Sequence, residues 1–157
     1  MEAKEDYSYV YDDAEEVMRH EKLNFREAFY KCYDEIIVNA LDQRERIRVN
    51  ADATLKQVTK ISVNLNPETG YISVENNGEG LDVVKHSGQG LYVPHVVFGV
   101  LLTSVNYDDE QVRLWGGKNG YGAKIVNIFS KVFTIETVDS HRKLHYTQTF
   151  RENMTIA

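Results

Sequence analysis

The chain has a single cysteine, Cys32, so it cannot form an internal disulfide and cannot rest on the cross-linked framework of a small secreted domain. Two prolines in 157 residues, with no low-complexity tract, exclude collagen-like, mucin-like and disordered classes. Basic residues are in deficit: 18 Lys and Arg against 24 Asp and Glu give a net charge of −6. That is the wrong sign for a domain that grips a phosphate backbone, so any link to nucleic acid is expected to be indirect. No apolar run reaches membrane-spanning length and no signal-peptide core is present, which points to an intracellular protein. No repeat, linker or break in composition divides the chain. Its length and 42% hydrophobic content suit one domain over residues 1–157 with one core.

What is present alternates between helical and strand periods. Tyr7, Tyr9 and Tyr11 would share one face of a short strand. Asn24 followed by Glu27 has the spacing of a capping box, and Phe25, Ala28, Phe29, Cys32, Ile36 and Ala40 then recur at helical intervals, predicting a helix over residues 25–46. Thr59, Ile61, Val63 and Leu65 alternate with polar neighbours, a turn follows at residues 66–70, and Ile72 and Val74 alternate again, which predicts a β-hairpin. Pro94 suits the first turn of a second helix, with Val97, Val100 and Leu101 on its buried side. A loop over residues 103–121, a short helix over 122–130, and strands over 132–138 and 144–150 complete the chain. The expected class is α/β, a two-layer sandwich with one mixed sheet covered on one face by helices.

Three groups of residues carry chemistry. On the first helix, Glu35, Asn39 and Asp42 fall within an arc of roughly 60° that borders the apolar stripe through Cys32 and Ile36. On spacing alone an ordinary polar helix face, much the commoner explanation, is the favoured reading. A carboxylate and a carboxamide one turn apart could also serve a metal-bound phosphate: Glu35 would deprotonate a water, and the Asn39 amide oxygen would be a hard ligand for magnesium. The second group is Glu75-Asn76-Asn77-Gly78-Glu79-Gly80, directly after a strand. Gly78 and Gly80 allow a sharp turn and close approach of a flat ligand, and an Asn side chain offers donor and acceptor to a heterocycle edge, although an Asn-Gly turn needs no ligand.

The third group, Gly116-Gly117-Lys118-Asn119-Gly120-Tyr121-Gly122-Ala123-Lys124, places four glycines within seven positions before a helix. Bare backbone amides at a helix N-terminus, with Lys118 and Lys124 close by, make an anion cradle. It is not a Walker A loop, because Ala123 and Lys124 stand where lysine and a hydroxyl residue belong. Neither glycine cluster fits the Rossmann fingerprint.

Taken in order, Tyr33-Asp34-Glu35-Ile36-Ile37-Val38-Asn39-Ala40, Asn76-Asn77-Gly78-Glu79-Gly80, Tyr92-Val93-Pro94, residues 101–109 (Leu-Leu-Thr-Ser-Val-Asn-Tyr-Asp-Asp) and residues 116–124 closely resemble the ATPase region of eukaryotic-type type IIA DNA topoisomerases. The resemblance covers about residues 9–154. It implies the Bergerat, or GHKL, fold, with ATP and magnesium held between helices and a glycine-rich lid. On this match Glu35 is the general base and Asn39 the magnesium ligand. Asn76 meets the adenine edge, with Gly78 and Gly80 beside it. Ser104 and Asn106 contact ribose or phosphate, and Lys118, Asn119, Gly120, Tyr121, Gly122 and Lys124 wrap the triphosphate. Asp42 lies in the matching helix without a definite role.

Val105 departs from the family pattern, which usually has a second serine there. Against that pattern the chain is also expected to be incomplete at both ends, lacking the N-terminal arm used for nucleotide-driven dimerisation and the second domain that delivers a catalytic lysine. Nucleotide binding is therefore expected to outlast turnover, since a missing cation removes transition-state stabilisation more than ground-state affinity. The implied partners are the transducer and DNA-cleavage core of a topoisomerase, a second copy in a homodimer, and duplex DNA only indirectly; the implied location is the nucleus. A stand-alone GHKL module that senses ATP without turnover is the alternative, and a relative of the histidine kinases fits the topoisomerase-type motifs less well. Cys32 reads as a small core residue, His141 and His145 lack the company of a zinc site, and the sequence leaves Trp115 either packed beneath the lid or partly exposed.

Overall fold

The computed structural model describes residues 3–50, 52, 54–101 and 121–157. In chain order the elements are β1 (Lys4–Asp12), β2 (Val17–Phe25), α1 (Glu27–Val49), β3 (Ile61–Asn66), β4 (Tyr71–Asn76), α2 (Val93–Gly99), α3 (Gly122–Phe129), β5 (Val132–Asp139) and β6 (Leu144–Arg151).

The alternation of Tyr7, Tyr9 and Tyr11 does form a strand, but that strand is half of a hairpin. Its partner β2 was not foreseen. Asp12 builds the turn, its Oδ1 accepting the backbone N–H groups of Ala14 and Glu15 at 3.0 and 3.1 Å. The ladder runs from Asp12 opposite Val17 to Lys4 opposite Phe25. This register overturns the expected capping box. Asn24 pairs with Glu5 and Phe25 with Lys4, so both are committed to the ladder and cannot open a helix. α1 starts at Glu27 with Arg26 at its N-cap and no side-chain cap, and Glu27 instead accepts the Lys4 ammonium at 2.8 Å. The helix then runs three residues beyond the expected end, to Val49, and Arg46 and Arg48 in its last turn complement the dipole. Phe25 and Phe29, expected on its apolar stripe, are exposed; inward packing begins with half-buried Cys32 and Ile36 and is complete at Ala40 and Ile47.

The other elements fall within a residue or two of expectation. Asn66 caps the β3–β4 turn, its Oδ1 accepting from the N–H groups of Glu68 and Thr69, and Gly70 closes it in the left-handed region at φ 68°. Pro94 lies in the first turn of α2 and is buried.

The α/β character is as expected, but among the described residues the strands pair as three separate antiparallel ladders, β1–β2, β3–β4 and β5–β6. Where one continuous mixed sheet was expected, side chains make the join. The stretch after β4 runs beside β5 and gives its N–H groups to side chains: Leu81 to Thr137 Oγ1 at 2.8 Å and Val83 to Asp139 Oδ2 at 2.9 Å. Gly80 is pressed so close to the Val138 carbonyl that a Cβ there would collide with it.

Helices pack onto these ladders, α1 against β4 and α3, and α2 against α3, β5 and β6. The apolar centre is Val96, Ile135 and Phe150, with the Phe150 ring 5.3 Å from His95, edge-on, and 6.4 Å from Phe133. Gly99 lies over the Phe150 ring with no room for a Cβ. Phe150 is 1% exposed, so Phe150→Ala is expected to cost about 3–5 kcal/mol through lost transfer energy and the cavity left behind. Urea denaturation measures it; a loss below about 1 kcal/mol would contradict this account of the core.

Candidate functional site

The decisive contact joins α1 to α3. A Cβ at Gly122 would overlap Oε2 of Glu35 and crowd its carboxyl carbon, so the carboxylate of α1 occupies the space that any other residue at position 122 would fill. Gly122 is the first residue of α3, preceded by Tyr121 at the N-cap with no side-chain hydrogen bond to the helix. The first N–H groups of a helix lack intrahelical acceptors and carry the positive end of its dipole, so this terminus attracts negative charge.

The other carboxylate oxygen, Oε1, takes the Lys31 ammonium at 3.0 Å, and Lys31 also reaches Asp34 at 2.7 Å. Those two carboxylates, Asp34 first, hold the Lys31 ammonium well above the usual lysine range. The i, i+4 spacing of Lys31 and Glu35 is a sequence signal for this pair that was not read. One turn further along, Asn39 is exposed and donates its Nδ2 to the Glu35 backbone carbonyl at 2.8 Å. That bond uses the amide nitrogen within the helix and leaves the amide oxygen as an acceptor. Asp42 is half-buried on the same face.

The loop after β4 is held from both sides. Asn76 Oδ1 accepts the N–H of Gly78 at 3.2 Å. Asn77 Oδ1 accepts from the N–H groups of Thr59 and Lys60, and its Nδ2 donates to Thr59 Oγ1 at 2.8 Å. Gly78 faces Val58 and Gly80 faces Thr137 and Val138, each too closely for a side chain. The Asn-Gly turn is therefore a packed connection between the approach to β3 and strand β5.

Lys124 is the third residue of α3 and is 1% exposed. Burial pushes its ammonium below the ordinary lysine value. Ser104, Asn106, Lys118, Asn119 and Gly120 lie outside the described residues, as do Val105 and Trp115. Among the residues that can be placed, Glu35 of α1 meets Gly122 of α3, with Asn39 one turn along α1 and Tyr121 and Lys124 beside Gly122 in sequence, while Asn76 ends β4, the strand packed on α1, and Gly78 and Gly80 lie in the loop that follows.

The chain is similar over nearly its whole length to known proteins. No protein-family model matches it. It is 44% identical over 149 residues to DNA topoisomerase 2 of Penicillium chrysogenum, covering 95% of this chain and 9% of that protein. It is 43% identical over 148 residues to DNA topoisomerase 2-beta of Homo sapiens, covering 94% and 8%. Among solved structures, the ATPase region of Saccharomyces cerevisiae topoisomerase II superposes with a TM-score of 0.85 at 38% identity, over 99% of this chain and 39% of that one. The chain is a homologue of the ATPase region of type II DNA topoisomerase. The ATPase and transducer domains of the Balamuthia mandrillaris enzyme give a TM-score of 0.84 at 42% identity, over 98% of this chain and 37% of that one. The fold is accordingly the GHKL fold of that region, and this chain spans about a tenth of the length of the curated relatives.

Sequence reasoning did not find the acidic anchor behind the loop, Asp139. Its side chain is almost fully buried and accepts the N–H of Val83, the N–H of Arg142 at 2.9 Å and Arg142 Nη1 at 2.8 Å. The Val83 N–H contributes most, and with Arg142 it outweighs burial and holds the carboxyl at about 2, against an ordinary 3.8. A depressed native value means that stability from this group is fully present above pH 3.8 and is lost as pH falls toward 2. Asp139→Asn should therefore flatten the fall in thermal midpoint between those two values relative to wild type. Parallel wild-type and variant profiles would rule out Asp139 as the anchor.

Proposed function

We propose that this chain binds magnesium-ATP at the junction of α1 and α3 and forms the ATPase module of a type II DNA topoisomerase. The observation that carries the reading is the Glu35 carboxylate seated against Gly122 at the N-terminus of α3, with Asn39 one turn along. The donor set fits the cofactor. A carboxylate and an amide oxygen are hard ligands of the kind that magnesium accepts, and an uncapped helix N-terminus suits a phosphate. When bound, magnesium neutralises charge on the phosphates.

In this reading the Asn39 oxygen holds the metal, and Glu35 orients a water and takes its proton. Lys31 keeps one carboxylate oxygen occupied, so the other is directed toward α3. Asn76 reads the base edge, and Gly78 and Gly80 let the loop lie flat. The glycine run from Lys118 through Asn119, Gly120, Tyr121 and Gly122 cradles the triphosphate, and Ser104 and Asn106 complete the ribose and phosphate contacts.

Residues 1–157 would act as one nucleotide-binding unit. Its partners would be the transducer and DNA-cleavage segments of the enzyme and a second copy, and duplex DNA would be engaged through those segments. The nucleus is the expected location. At about 44% identity to topoisomerases over nearly its whole length, the chain is better read as this module than as a stand-alone ATP sensor.

Isothermal titration with a non-hydrolysable ATP analogue tests the assignment. Wild type is expected to gain affinity on adding magnesium, and Asn39→Ala to lose most of that gain, about tenfold in Kd or ~1.4 kcal/mol. Asn39→Ala binding with undiminished magnesium dependence would overturn the role given to this side chain.

A further inference from the structure

Glu79 lies between the two glycines of the loop after β4. It is 9% exposed, and it is bonded at both ends of its backbone and at both carboxylate oxygens. Its N–H donates to the Lys56 carbonyl at 2.8 Å, and its own carbonyl accepts Gln43 Nε2 at 2.9 Å. Oε1 accepts the Ser140 hydroxyl at 2.8 Å and Oε2 the Lys56 N–H at 3.2 Å. One residue thus joins α1, the chain approaching β3 and the β5–β6 turn. Gln43 is on the same helix as Asn39, one turn later, so the bond to the Glu79 carbonyl is a direct link between the helix of Glu35 and Asn39 and the loop of Asn76.

A carboxylate this buried is costly unless its oxygens are satisfied, and burial alone would push its pKa up. The Ser140 hydroxyl and the Lys56 N–H overcome that effect, with a smaller contribution from His141, and the group lies below the ordinary glutamate value. The charged form is the one built into the fold. The surrounding contacts leave it little freedom, because Gly78 is packed on Val58 and Gly80 on Val138.

We infer that Glu79 is a positioning residue for base recognition: it fixes the Asn76–Gly80 loop at a set distance from α1, so that a purine edge is read in register with phosphates held at Asn39. The inference rests on the nucleotide reading given above. It separates the two ends of the ligand, because Glu79 is tied to the loop and not to the α3 terminus. Loosening it should weaken selection of the base and leave the phosphate end as it was.

The test uses the full chain and three probes: a non-hydrolysable ATP analogue, its GTP counterpart and magnesium tripolyphosphate. Glu79→Gln and Ser140→Ala are expected to weaken the ATP analogue by about tenfold, the scale of one or two lost charge-assisted hydrogen bonds, and to narrow the ATP-over-GTP preference. Tripolyphosphate affinity should stay within about twofold of wild type, and Ser140→Thr, which keeps the hydroxyl, should restore ATP affinity. Ser140 is on an exposed turn, so its variants keep the test open if Glu79→Gln does not fold. Folded variants that retain wild-type ATP affinity and base preference would overturn the inference, and so would variants that lose ATP and tripolyphosphate equally. A wild-type chain that binds none of the three probes would instead defeat the nucleotide reading, and this inference with it.

Discussion

The contact between the Glu35 carboxylate and the bare α-carbon of Gly122 is the constraint on which the site depends. It marks how closely α3 approaches α1, because no residue with a side chain fits at position 122 while Glu35 keeps its place. The consequence is chemical as well as steric. A negative group meets a helix terminus of positive potential, and the Asn39 amide lies one turn further along α1. The direction of the carboxylate follows from local sequence, since Lys31 four residues earlier takes one oxygen and leaves the other toward α3.

Behind that junction, polar anchors do much of the joining. Among the described residues the buried apolar ones are few, and the largest, Phe150, is beneath α2. The connection between the β3–β4 and β5–β6 ladders instead runs through Thr137, Asp139 and Glu79, whose oxygens take up N–H groups that a continuous sheet would have paired with backbone. Such links are directional, and each fails if one partner is removed, because the remaining buried group is left unsatisfied. They suit a loop that must hold a position more than one that must contribute bulk.

The elements with strong periodicity were legible in the sequence. The β3–β4 hairpin, α2, α3, β5 and β6 follow from alternation, turn residues and the proline at position 94 within a residue or two. The beginning of the chain was not legible, because Asn24 and Glu27 satisfy a local capping rule that the pairing of β2 with β1 overrides. Side-chain anchors such as Asp139 and Glu79 were also hidden: an acidic residue in a strand or turn looks exposed until its partners, 56 or more residues away for Val83 and Ser140, are placed beside it. The neighbourhood of Glu35 and Gly122 could not come from spacing, since 87 residues separate them; only the resemblance put them in one pocket, and Ser104, Asn106, Lys118, Asn119 and Gly120 stay with that resemblance, outside the described residues.

A crystal structure of this chain with magnesium and a non-hydrolysable ATP analogue tests the central claim most directly. The terminal phosphate is expected beside Gly122 at the start of α3, with the metal on the Asn39 oxygen and the Glu35 carboxylate facing the phosphorus. A triphosphate bound away from the α1–α3 junction, or a Glu35 carboxylate turned from it with the nucleotide in place, would contradict the account.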